Sequence, residues 1–524
     1  MNRRIGKLVY GSSALRVAIG IGVVLASVPV AAQDFRAQAS AIRSASRSDR
    51  DLRAFYEARG SRPLWFGSAS GAQASDALLN LISNAELDGL DPETFDLRDL
   101  VDLRERADGG SPKALARADI AFSRAFVRYA TASRRPRETG TVYLNPELTP
   151  RAPGATALLR AAAAASSLPV FVSSMGWMNP VYTDLRDALG TARTDRLGGS
   201  GPVVPATATL RPGVQGGAVW ALRGRLGLPS GGSYDRDVSA AVAEFQAARG
   251  LPVDGVAGPR TIATMNEAQP DRDFLIRTNL DRARVLPTDP SRRYILVDAA
   301  GARMWMYENG RVADTMKVIV GKATEPTPML TGLMHYAIVN PYWNVPPDLA
   351  RTRVAPGVLS KGVKYLKTMR YEVLSDWGEK PTVLDPKTID WRAVAAGTAE
   401  VRVRQLPGKD NSMGKMKFVL PNDMGIYLHD TPDKHLFASA DRHLSAGCVR
   451  VEDAQRLAKW LFGKVPTAEG KAPEQRVELP EPVPVYLTYL TAAPAAKGLV
   501  FRADTYGRDR PGWASRNAKI ADAR

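Results

Sequence analysis

At Arg293 the period of the apolar residues changes, and that change forces two architectures on one chain. Upstream, apolar residues recur at helical spacing. Leu52, Phe55 and Tyr56 share one face, and residues 77–87, 114–132 and 155–167 continue in the same manner. Downstream they run or alternate as in strands, at 294–298, 303–307, 315–320, 337–340, 415–420, 425–429, 484–490 and 499–503. Asn309-Gly310 is a hairpin signal, and 455–462 reads as one amphipathic helix. A length of 524 residues fits about three domains at ~150 residues each. The sequence therefore predicts a multidomain α+β chain, with a helical scaffold domain over 40–200 and a mostly-β domain over 290–492. Nothing in 40–200 has catalytic spacing. Residues 194–209, rich in Gly, Pro, Ser and Thr, read as a linker. The tail over 504–524 is expected to be loose.

The first 32 residues read as a cleaved export signal. Arg3, Arg4, Lys7 and Arg16 precede or flank an apolar run, and Val30-Ala31-Ala32 supplies small residues for cleavage before Gln33. The expected location is the periplasm. Export changes the meaning of the single cysteine, Cys448. It has no partner for an internal disulfide, and a lone thiol in an oxidising compartment points to a reactive residue. One Cys and four His argue against a Cys-rich zinc site, and no metal or cofactor is expected. The net charge of +17 suits anionic wall polymers or lipid surfaces, or a generally basic proteome; nucleic acid is not an expected partner.

Between linker and strands, residues 210–266 form a compact unit. Val219, Leu222, Leu226 and Leu228 make one apolar stripe, and Val238, Val242 and Phe245 a second. Arg249-Gly250-Leu251 and Asp254-Gly255 turn, and Gly258-Pro259-Arg260-Thr261 starts a third helix with Pro in its first turn. This pattern, with the run 241–246, resembles the three-helix peptidoglycan-binding domain of secreted wall enzymes.

The chemistry concentrates in Ile426-Tyr427-Leu428-His429-Asp430-Thr431-Pro432 and Ser445-Ala446-Gly447-Cys448-Val449-Arg450-Val451. A thiol with a free pKa of about 8.5 is only partly ionised at neutral pH, and a neighbouring imidazole can take its proton and leave an ion pair. Backbone amides at Gly447 and Cys448 are candidate oxyanion donors. Arg450 adds charge that favours thiolate or holds a substrate carboxylate. His435 and His443 lie in the intervening loop and are expected to be solvated, and His335 to face the sheet surface.

These segments resemble the L,D-transpeptidases with a YkuD-type catalytic domain. His429, Ser445, Gly447, Cys448, Val449 and Arg450 match that family's motif, while Ala446 stands where a second His is usual. Tyr342-Trp343-Asn344-Val345-Pro346, Pro407-Gly408, Asn411, Gly414, Lys417-Phe418 and Pro421-Asn422 extend the resemblance to the large YcbB-like Gram-negative subgroup. The resemblance implies a scaffold domain, a peptidoglycan-binding domain and a catalytic domain with a capping insert, placed here at 351–410. It implies that Cys448 attacks the third-residue carbonyl of a tetrapeptide stem and expels D-Ala. An amine of a second stem then resolves the acyl-enzyme into a 3→3 cross-link. His429 is the implied base, oriented by the Asp430 backbone carbonyl. Tyr427, Ser445 and Trp343 are expected substrate-binding residues. The expected partners are peptidoglycan stems and glycan, and a wall-anchored protein is a further acceptor. The competing readings are a hydrolase with water as acceptor and a non-catalytic wall-binding scaffold.

Overall fold

The computed structural model describes residues 30–513, apart from 108, 136, 197–203, 206–208, 227, 249–250, 267–271, 290, 379, 496–497 and 511. The expected leader lies outside these residues, except that the first helix starts at Val30. Most of the linker, the Arg249-Gly250 turn and the tail beyond 513 lie outside them too. Among the described residues no helix is long and apolar enough to cross a membrane.

The first unit is helical: α1 (Val30–Ala45), α2 (Arg50–Ala58), α3 (Ala69–Ser83), α4 (Leu97–Ala107), α5 (Pro112–Arg134), α6 (Ala155–Ala164), α7 (Leu168–Ser174) and α8 (Pro180–Arg196). Side-chain caps start several of them. Asp49 accepts from the Leu52 amide, Ser68 from Gly71, and Ser111 from Ala114 ahead of Pro112. The long helix α5 is the axis, burying Ile120, Phe122, Phe126 and Tyr129. At its centre Asp119 is fully enclosed. It accepts the amides of Leu64, Trp65 and Phe66 at 2.8–3.0 Å and the Tyr56 hydroxyl, pinning the 64–66 loop to α5.

Three short helices follow: α9 (Gly217–Arg225), α10 (Arg236–Ala248) and α11 (Pro259–Asn266). Val219, Leu222, Val238, Val242 and Ile262 close their small core. Gln246 sits at the hub, accepting the Asp254 and Gly255 amides and donating to Asp254, Val256 and Thr261. The string read from the sequence as a compact unit is thus a set of core and turn positions.

After α12 (Arg272–Ala283) come β2 (Tyr294–Asp298), β3 (Arg303–Glu308), β4 (Arg311–Gly321), β5 (Leu330–Val339), β9 (Met416–Val419), β10 (Leu428–His429), β12 (Val449–Val451) and β13 (Gln475–Thr488). Asn309 and Gly310, with φ of 52° and 71°, make the expected tight turn between β3 and β4. The strands pair in the order β5-β13-β2-β3-β4-β12-β10-β9, and β9 pairs back to β5, so the sheet closes on itself. Val297, Met304, Val318, Phe418, Leu428, Val449 and Leu487 fill its interior, with α17 (Ala454–Phe462) adding Leu457 and Leu461. Asp453 caps α17 through the Arg456 amide, and Gly463 ends it in the left-handed region.

Two joints tie the helical unit to this barrel. Strand β1 (Val142–Tyr143) leaves the scaffold and pairs in parallel with the start of β5, at Leu330 and Thr331. Helices α8 and α12 pack on the barrel's outer face, against Tyr294, Leu296, Tyr307 and Tyr486. Asp88 braces that joint, accepting from Tyr129, Tyr182 and Arg186.

The insert is a small domain with its own core. Strands β6 (Trp343–Val345), β7 (Tyr371–Leu374) and β8 (Arg402–Gln405) form a sheet in the order β6-β8-β7, beside α13 (Pro347–Leu349), α14 (Ala355–Lys361), α15 (Lys364–Thr368) and α16 (Trp391–Ala396). It begins at Trp343, earlier than the 351 read from the sequence. It hangs from one ladder, because Val339 of β5 and Met416 of β9 are register partners.

Residues 504–509, the start of the tail expected to be loose, are held against the barrel instead. After β14 (Ala492–Pro494) and β15 (Leu499–Phe501), Asp504 accepts the Arg508 and Asp509 amides at 2.8 and 2.9 Å. Tyr506 stacks on Tyr489 with centroids 4.9 Å apart, Asp509 pairs with Arg282 of α12 at 2.8 Å, and Arg508 is buried. Isolated aromatic and charged residues without periodicity gave no sequence signal for this clamp.

Candidate active site

Strand register builds the site. Across the barrel wall, Ile338, Lys417, His429, Arg450 and Ile319 form one rung. Their neighbours along each strand, including Phe418, Leu428, Val449 and Val318, belong to the interior. Alternation of side chains therefore turns the whole rung outward. Parallel pairing of β10 with β12 sets Leu428 against Val449. One step back, Val449 donates its amide to the Tyr427 carbonyl at 3.0 Å. Cys448 and Tyr427, each two residues from a rung member, share that outward face. Residues 430–448 separate the strands and carry β11 (His443–Ser445), which pairs with β4.

His429 is almost fully buried, and its Nδ1 lies 2.6 Å from the Asp430 carbonyl. A carbonyl only accepts, so Nδ1 carries the proton and Nε2 presents a lone pair. Burial and the nearby Arg450 charge hold the imidazole down to about 3, so it is neutral at physiological pH. The carbonyl is well anchored. The Asp430 carboxylate accepts from Lys434 at 2.7 Å and from the Lys415 amide at 2.9 Å. A Cβ at Gly414, whose φ is +61°, would collide with that carboxyl.

The Cys448 thiol donates to the Gly425 carbonyl at 3.3 Å. Burial pushes it above the usual thiol range, with the Tyr427 amide, Lys417 and Arg450 pulling the other way. This corrects the expected resting ion pair. Two neutral groups share the face, because burial outweighs the added cations. Lys417 was not singled out from sequence as a site residue. It is buried, with Nζ 4.6 Å from the Tyr427 ring centroid, and burial lowers its pKa. Its signal was a lysine flanked by Met416 and Phe418 in an apolar strand.

Other expected site residues fall differently. Ser445 is buried and its hydroxyl donates to the Cys448 carbonyl at 2.6 Å, shaping the turn instead of facing a substrate. The Gly447 amide, expected as an oxyanion donor, is engaged by Ser445 Oγ at 3.2 Å. Trp343 packs inside the insert's core against Tyr371, which needs its apolar area there. Arg450 remains on the face, 3.6 Å from Asp433. His435 is exposed, while His443 is held at both nitrogens by Asp441 and the Ala299 carbonyl. Among the described residues no group of three or more His, Cys, Asp or Glu is placed to hold a metal ion. A cavity of about 1110 Å³ opens beyond Asp430, lined by Lys434, Glu452 and the start of α17. It excludes Cys448 and His429, as the alternation from His429 to Asp430 requires.

Residues 292–468 match the family model of the L,D-transpeptidase catalytic domain. Residues 50–189 match a Scaffold domain, and 223–265 a domain described as "Putative peptidoglycan binding domain". A Haemophilus influenzae protein named "Putative L,D-transpeptidase" is 33% identical over 239 residues, covering 44% of this chain and 47% of that protein. The chain thus spans about half the length of that curated relative. An L,D-transpeptidase structure from Xylanimonas cellulosilytica is 17% identical, covering 54% of this chain and 98% of that one, with a TM-score of 0.16. One from Enterococcus faecium is 16% identical, covering 37% and 49%, also with a TM-score of 0.16. Superpositions this loose carry no weight. The family matches do: this chain carries a YkuD-type L,D-transpeptidase catalytic domain, preceded by a Scaffold domain and a peptidoglycan-binding domain.

Proposed function

We propose that the protein is a periplasmic peptidoglycan L,D-transpeptidase in which Cys448 is the nucleophile and His429 the base. The observation that carries this reading is the fixed tautomer of His429, whose basic nitrogen is left on the outward face that also holds the thiol. The donor is a tetrapeptide stem. As Cys448 Sγ bonds to the third-residue carbonyl carbon, its proton passes to His429 Nε2. The oxyanion collapses, the C–N bond to D-Ala breaks, and the leaving amine takes the proton from His429. A thioester remains. An acceptor amine then attacks, gives its proton to His429, and the thiol leaves reprotonated. Starting from neutral groups, the enzyme makes charge only when substrate is seated, and Lys417 and Arg450 lie where it develops.

The insert favours an amine over water by excluding solvent from the acyl-enzyme. Mass spectrometry of products from purified tetrapeptide stems tests the reading. Dimers lacking one D-Ala support it, tripeptides alone indicate a hydrolase, and unchanged stems refute catalysis. Deleting the insert is expected to raise the ratio of hydrolysis to cross-linking.

A further inference from the structure

We infer that the C-terminal segment 504–509 serves the reaction: through Arg508 and Thr327 it sets the peptide plane that aims the Cys448 N–H at the reacting carbonyl oxygen. The inference rests on the acyl transfer proposed above and adds two positioning residues to it. Arg508 lies outside the residues that match the catalytic-domain family.

The contacts are continuous. Arg508 is 7% exposed, with its guanidinium 4.7 Å from the Tyr506 ring centroid and 5.3 Å from that of Tyr489. Its Nη2 donates to the Thr327 carbonyl at 2.8 Å. Thr327 is fully buried. Its Oγ1 accepts the Gly321 amide at 2.9 Å and donates to the Gly447 carbonyl at 2.7 Å. Tyr506 steadies the same strand end by donating to the Gly321 carbonyl at 2.5 Å.

The Gly447 carbonyl and the Cys448 N–H belong to one planar trans peptide. A carbonyl drawn toward Thr327 therefore sends the N–H the opposite way. Among the described residues that N–H has no hydrogen-bond partner, whereas the Gly447 amide is engaged by Ser445. The Cys448 amide is the donor this turn leaves for an oxyanion. Gly447 sits at φ +105° and, lacking a Cβ, does little to hold its own peptide plane. An external tether is what the turn lacks, and Thr327 supplies it.

The test uses the full-length protein, a purified disaccharide-tetrapeptide and iodoacetamide. Acylation needs the oxyanion donor; alkylation of the same thiol does not. Removing an oxyanion donor outright costs on the order of 100- to 1,000-fold in kcat, and a misdirected one less. Thr327→Val is expected to lower acylation kcat roughly tenfold to a hundredfold, with KM and the alkylation rate within about threefold. Thr327→Ser restores the rate, and Arg508→Lys falls between. Unchanged acylation in Thr327→Val, or an equal fall in acylation and alkylation, overturns the inference. Failure of the wild-type protein to be acylated overturns the acyl-transfer reading instead, before any variant is compared.

Discussion

Asp119 in the scaffold and His429 in the barrel are both enclosed, yet they are satisfied to different degrees. Each Asp119 oxygen accepts two hydrogen bonds, from the Leu64 amide and Tyr56 on one side and the Trp65 and Phe66 amides on the other. Burial still raises its pKa, and every one of those bonds pulls against the rise. His429 has one nitrogen fixed to Asp430, and among the described residues no hydrogen bond reaches the other. Burial there meets little resistance and leaves a strongly depressed imidazole. Under the function proposed above, the difference separates a joint from a reagent. A saturated buried group can only hold the fold, while a half-satisfied one keeps a site of exchange open.

Substitution probes that contrast most sharply. Cys448→Ala is expected to abolish D-Ala release with an unchanged melting temperature, and His429→Ala to cost on the order of a thousandfold in kcat, again with the fold intact. Asp119→Ala is expected to do the reverse. It strands three buried amides and lowers stability by about 3 kcal/mol, read by urea unfolding, while leaving kcat of the folded fraction in place. Loss of chemistry in a folded Asp119→Ala protein would break the comparison.

The pH responses are smaller effects. With the imidazole near 3, kcat/KM for acylation should hold from pH 8 down to about pH 5, where an ordinary histidine would already be protonated. Stability carries the same signature. The unfolded chain regains a histidine of ordinary pKa 6.5, so it binds a proton the folded chain refuses. That contribution is whole above pH 6.5 and lost as pH falls toward 3. Calorimetry from pH 7.5 to 4.5 should show wild-type stability falling more steeply than that of His429→Gln. Cys448 alkylation should titrate above the usual thiol range and stay there in His429→Ala; a profile that shifts upward only on losing His429 would restore the ion pair. The smallest change is expected from His443→Gln. That ring is saturated by Asp441 and Ala299, and its loss should alter kcat by less than about twofold.

Local features of the fold were legible in the sequence. The break in period at Arg293, the Asn309-Gly310 turn and the helix start at Pro259 act within a few residues. His429 and Cys448 were paired through the resemblance of their two segments to the L,D-transpeptidase motif, and the strands that carry them, β10 and β12, lie side by side. Features that depend on distant pairing were not legible. Closure of the sheet by β5 and β9, the docking of β1 on Leu330 and the grip of Arg508 on Thr327 join residues far apart in the chain. Trp343 was misplaced for the same reason, since an aromatic residue near a cleft and one in an insert's core look alike until the insert folds.

The single ladder from which the insert hangs has a consequence for how such enzymes diversify. Asn340 donates to the Lys415 carbonyl at 3.0 Å, extending the pairing of Val339 with Met416, so the insert enters and leaves the barrel side by side. To the barrel, residues 340–415 amount to an overgrown hairpin loop. Lineages can enlarge, exchange or shed such a cassette without re-registering a strand, and a short designed turn from Val339 to Met416 should give a barrel that folds without it.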